Sequence, residues 1–137
     1  MKTAVQAGLV ALLAGTTVLA APAEAATTVQ RTAACHADGY SGTFTLRYET
    51  DGGYHRMLGG YTTSGPYIGD VAGSVRLQIS YRSGTTTRTV YSRSAPTTGS
   101  TTFTMPSATT VPVTSAGTAA ATFDNGTVSC TATVPIS

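Results

Sequence analysis

Beyond Lys2 this sequence of 137 residues has no lysine, and it has no tryptophan anywhere. Charged side chains make up only 10% of it, so its polarity comes from the hydroxyls of threonine and serine more than from ions. Past residue 25 the charge rests on seven arginines and five acids: Asp38, Glu49, Asp51, Asp70 and Asp124. That balance lacks the basic stripe by which proteins hold nucleic acid or an anionic membrane, and neither is expected as a partner. No later segment approaches the roughly 20 apolar residues of a membrane-spanning helix. None sustains a helical period over about ten residues. Two histidines and two cysteines make no zinc or calcium pattern, which needs three or four converging ligands. No metal and no cofactor is expected.

What is present starts with an export signal. Lys2 supplies a positive charge, Ala7 to Leu19 ("AGLVALLAGTTVL") is an apolar run, and "APAEA" places small residues at Ala23 and Ala25. This is the pattern of a cleaved signal peptide, residues 1–25. The expected product is a secreted, bacterial extracellular protein of one domain. A loose arm over 26–34 leads into a domain over 35–137. Export places Cys35 and Cys130 in oxidising surroundings, where an even pair forms a disulfide. Closing a loop of 95 residues is worth about 4.7 kcal/mol in the chain-entropy model. The rival reading, a lipid-attachment cysteine at "TAAC" (Thr32 to Cys35), is opposed by Arg31 and by the distance from the apolar run.

Between the cysteines the period is that of strands. In "GTFTLRYE" (Gly42 to Glu49), Phe44, Leu46 and Tyr48 share one face. In "VRLQISYR" (Val75 to Arg82), Val75, Leu77, Ile79 and Tyr81 do the same. In "TVSCTATV" (Thr127 to Val134) it is Val128, Cys130, Ala132 and Val134. Turn signals separate further short runs: Asp51-Gly52-Gly53, Ser83-Gly84 and, as the strongest hairpin signal, Asn125-Gly126. "TTRTVYS" (Thr86 to Ser92), "TTFTM" (Thr101 to Met105) and "TTVPV" (Thr109 to Val113) are the other strands, and Pro112 suits an edge or a bulge. Seven or eight short strands without a helix predict an all-β, single-domain antiparallel sandwich, Ig-like and monomeric. A small β-barrel is the alternative.

No spacing announces catalysis. Serine and threonine are abundant, yet none sits in a nucleophile elbow. A small secreted hydrolase such as a ribonuclease would need a carboxylate, a histidine and arginines. Glu49, His55 and Arg47 or Arg56 supply those types across the first hairpin. Arg76, Arg82 and, in one register, Arg88 could share an outer sheet face and meet an acidic polymer. Arginine on an outer face also serves solubility alone.

The segment "GGYHRMLGGYTTSGPYIGD" (Gly52 to Asp70) packs six glycines and three tyrosines into nineteen residues. Tyr54, Tyr61 and Tyr67, with His55 and Arg56, match the make-up of recognition loops. Tyrosine gives broad contact at low entropic cost, and glycine and serine let a loop conform. Under the packing alternative Tyr54 and Leu58 are strand core, and Ile68 plugs the core. The size, export signal and Ala/Thr/Gly/Ser-rich β composition resemble those of small secreted Ig-like apoproteins that carry enediyne chromophores in actinobacteria. Those typically hold two disulfides where this chain has cysteines for one. The likeness covers no motif, and no residue role follows from it. The expectation is a secreted, non-catalytic module. It would contact an extracellular protein, a protease for example, or a carbohydrate through this Tyr/Gly-rich segment. The hydrolase and a structural cell-surface protein are the alternatives.

Overall fold

The computed structural model describes residues 27–69 and 71–137; the signal segment lies outside them. Nine strands are found there: β1 (Thr27–Ala37), β2 (Tyr40–Asp51), β3 (Tyr54–Gly65), β4 (Gly73–Ser83), β5 (Thr86–Thr97), β6 (Ser100–Phe103), β7 (Thr110–Pro112), β8 (Gly117–Asp124) and β9 (Ser129–Ile136). They build two antiparallel sheets. One has the order β1-β2-β3-β6, with β7 pairing a second stretch of β3; the other has the order β5-β4-β8-β9. Packed face to face, they form a β-sandwich.

The alternation read from the sequence sets the core. Phe44, Leu46 and Tyr48 from β2 meet Val75, Leu77 and Ile79 from β4, with Ala119, Ala121 and Phe123 from β8 and Ala132, Val134 and Ile136 from β9. Each is buried, because a period of two sends alternate side chains to the facing sheet. The Cys35–Cys130 disulfide forms as expected, with Cα atoms 5.7 Å apart. It joins β1, an edge of the larger sheet, to β9, an edge of the smaller one. One side of the sandwich is therefore stapled. On the other side β5 has only β4 as a strand partner.

Three details depart from the sequence reading. The expected loose arm over 26–34 is strand from Thr27 onward, paired residue by residue with β2 from Thr27↔Thr50 to Ala37↔Tyr40. Cross-strand pairing supplies the order that its weak alternation did not announce. The hairpin at Asn125-Gly126 exists but has four loop residues. Asn125 Oδ1 accepts the amides of Thr127 (2.9 Å) and Val128 (2.8 Å), an Asx arrangement that widens the turn. Finally, Arg88 lies across from Tyr81, whereas Thr87 lies across from Arg82. A bulge between Ile79 and Ser80 sets that register, so Arg88 does not join Arg76 and Arg82.

The strand directions give the sandwich two distinct ends. Thr27 pairs with Thr50 at one end, where the Ser137 amide also lies 3.4 Å from the Tyr48 hydroxyl. At the other end the connections β1–β2, β3–β4, β5–β6 and β8–β9 come together. This is the loop end.

Candidate functional site

The Gly52–Asp70 segment is mostly not a loop. Gly52 (φ 62) and Gly53 (φ 86) form the tight turn after β2, and Tyr54–Gly65 is then continuous strand. The connection to β4 begins at Pro66, and Asp70 within it lies outside the described residues. The expected contact residues are thereby spread along the molecule, since a strand of this length runs roughly 40 Å.

Tyr54 lies at the terminal end, opposite Pro112, and is 50% exposed. His55 is turned inward, only 4% exposed, with its ring edge-on to Tyr48 and Nδ1 2.8 Å from Thr50 Oγ1. It packs the core and presents nothing to a ligand. Burial, and after it the charge of Arg31, hold its pKa below the usual histidine value. Arg56 forms an ion pair with Glu49. Glu49, paired with Arg56, and Arg47 lie on the outer face, whereas His55 faces the interior. The hydrolase trio is thus split between the two faces of one sheet. The inversion has a local cause: β3 carries an extra residue, Leu58, between the pairs Arg47↔Gly59 and Tyr48↔Met57. The bulge makes His55 and Met57 the buried pair before it, and Gly60 and Thr62 the buried pair after it.

Tyr61, 48% exposed, stands on the outer face of the larger sheet between Thr45 and Thr102. Beside it the chain of β6 leaves β3 at Phe103, and β7 does not rejoin β3 until Thr110. This leaves a dent of about 260 Å³ lined by Thr45, Arg47, Leu58, Gly59, Tyr61 and Thr102, among others.

Tyr67 sits at the loop end and works as an anchor. Its hydroxyl lies 2.6 Å from Ser64 Oγ and 2.9 Å from the Tyr40 hydroxyl, with the two tyrosine rings edge to face at 5.8 Å. Burial, then the bond to Tyr67, push the Tyr40 pKa up to about 12. Tyr67 therefore plugs the space that the packing alternative assigned to Ile68. Ile68 instead points out, 85% exposed, and Val71 follows at 58%. Clefts of about 350, 390 and 520 Å³ flank this connection, bounded by the β1–β2, β8–β9 and β5–β6 turns. The exposure of Ile68 and Val71 is not anticipated by the sequence reading. The available signal was their setting: an isolated apolar residue between Gly65-Pro66 and Gly69 has turn formers on both sides and no strand to bury it.

Compared with known proteins, the chain matches no family model, no curated protein and no solved structure.

Proposed function

We propose that this protein is an extracellular, non-catalytic binding module that grips a protein partner with its loop end, through the Ile68–Val71 knob. The observation that carries this reading is the exposure of Ile68 (85%) next to a fixed anchor. Burying such a side chain in a partner's pocket is worth about 1.5–3 kcal/mol. A knob whose base is already held loses little freedom on binding. The clefts around it offer room for a partner's own side chains. The frame suits the task, with four connections gathered at one end and Thr27 and Ser137 at the other. The disulfide and the absence of any long apolar helix among the described residues are compatible with secretion.

The knob is turned rather than extended, since Gly69 has φ 69 directly after Ile68. A protease cleft takes an extended strand, so a docking pocket is the better match than a substrate-like inhibitory loop. In the reading with residues 1–25 removed, the only primary amine is the amino terminus, at the end opposite the knob. Coupling through it leaves the loop end free. The test passes the organism's secreted proteins over native protein and over an Ile68→Asp/Val71→Asp variant, each coupled in this way. A partner held by the native protein and lost by the folded variant is expected, with at least about 30-fold weaker binding. Equal retention by both, or retention by neither, would overturn the reading.

A further inference from the structure

We infer that the dent over Gly59 is a second binding site, for a uronic acid residue within an extracellular acidic polysaccharide. It lies on the outer sheet face, away from the loop end, and does not rest on the loop-end reading. Three features of different chemistry meet there. Tyr61, half exposed, brings an aromatic ring to the lining. Arg47, across the ladder from Gly59, is exposed and carries no ion pair among the described residues. Thr45 and Thr102, directly beside Tyr61 on the two neighbouring strands, add hydroxyls that can both donate and accept.

The ligand class follows from this combination. An apolar ring face against Tyr61 asks for a flat ring, and the C–H faces of a pyranose supply one while its hydroxyls reach the threonines. Arg47 is a planar fork suited to a carboxylate. One unpaired guanidinium beside one aromatic ring matches one carboxylate on one sugar. A glycerol phosphate polymer carries the anion but no ring for Tyr61. A neutral glucan carries the ring but leaves Arg47 without a partner. The dent is a recess on an outer sheet face and not an enclosed cavity, so the sugars on either side of the bound residue have room to leave it. This favours a polymer over a free sugar.

Position 59 supplies the cleanest variant. A Cβ added there would meet nothing closer than the Phe103 carbonyl oxygen at 3.5 Å, an ordinary contact. The backbone therefore admits a side chain at this position, and Gly59→Val narrows the dent from its lining. The probes are tetramers of galacturonate, mannuronate and glucuronate, the methyl ester of the galacturonate tetramer, free galacturonate, and a glycerol teichoic acid. Binding is followed by calorimetry and by amide chemical shifts.

At least one uronate tetramer should bind and shift the amides of Thr45, Tyr61 and Thr102, and more weakly as salt is raised. The matching neutral ester and the free sugar should bind at least about tenfold more weakly. Gly59→Val should abolish binding, and Arg47→Gln and Tyr61→Ala should each weaken it about 10- to 100-fold. Ile68→Asp should leave it unchanged, which separates this site from the loop end. The inference is overturned if no uronate tetramer binds or if ester and acid bind alike. Equal binding of the free sugar, binding of the teichoic acid alone, or survival of binding in Gly59→Val would overturn it as well.

Discussion

Gly73 is the residue on which the loop end turns. It opens β4, and a methyl group added there would run into Tyr67 Cε1, lie 2.7 Å from Tyr67 Cζ and lie 2.6 Å from the Asp124 carbonyl oxygen. In Gly73→Ala the Tyr67 ring must therefore leave its seat. Its hydroxyl then loses Ser64 Oγ and the Tyr40 hydroxyl. Overpacking of this kind costs about 1–3 kcal/mol, and each lost hydrogen bond adds about 1 kcal/mol. The expected loss is about 3–5 kcal/mol, read as a drop in the denaturant midpoint. Tyr67→Ala alone should cost a comparable amount, but the two should not add. With the ring gone, only the clash with the Asp124 carbonyl remains, so a double-mutant cycle should show a coupling of about 2–3 kcal/mol, the two shared hydrogen bonds and the ring clash. An optical titration gives an independent reading. Losing the Tyr67 partner should bring the Tyr40 pKa down from about 12 toward the ordinary value of 10. On the loop-end reading, both single variants should also lose the partner, as Ile68→Asp should. Additive costs within about 0.5 kcal/mol, or a Gly73→Ala protein as stable as the native one, would refute the anchoring role of Tyr67.

Two further outcomes follow from the frame. Replacing both cysteines by alanine frees a loop of 95 residues, so the chain-entropy model predicts a loss of about 4.7 kcal/mol, to be measured by guanidinium unfolding. A loss below about 1 kcal/mol would show that β1 and β9 hold the stapled side without the bond. His55 gives a pH dependence. Its folded pKa lies below the unfolded value near 6.5, so the stability tied to neutral His55 is present above pH 6.5 and is lost as the pH falls below it. Denaturant midpoints between pH 7 and 5 should slope downward for the native protein, and His55→Gln should flatten that slope; an unchanged slope would place its origin elsewhere.

Much of the frame was legible because it depends on period and on turn residues. Phe44, Leu46 and Tyr48, and Val75, Leu77 and Ile79, alternate with polar neighbours, and all six are buried. The disulfide followed from cysteine parity and compartment. The arm was misread because "TTVQRTAA" alternates only weakly, and its order comes from a partner strand that no local pattern reveals. Tyr67 and Ile68 exchanged roles for a related reason. Both are apolar enough to plug a core, and the choice falls to Tyr67 because only its hydroxyl can satisfy Ser64 and Tyr40 at the buried edge.

The deepest disagreement, along β3, comes from a single residue. Strict alternation from Tyr54 through Leu58 puts Tyr54, Arg56 and Leu58 on one face, and the packing alternative reads that face as core. Inserting Leu58 as a bulge breaks the alternation. A one-residue slip moves every side chain beyond it to the other face, which lets both His55 and Thr62 be buried while Tyr54 and Tyr61 both look outward. The same bulge sets Gly59 opposite Arg47, at the point where β6 turns away, and so opens the dent. Bulges concentrate where a strand must re-aim side chains. Here the residue that defeats a periodic reading also creates the recess on the sheet. Deleting Leu58 should therefore restore one unbroken alternation along β3 with every face kept, His55, Met57, Gly60 and Thr62 inward and Tyr61 outward, while closing the dent that Leu58 helps to line. A variant lacking Leu58 that kept the native fold with the recess still open would show that β6, not the bulge, makes the recess.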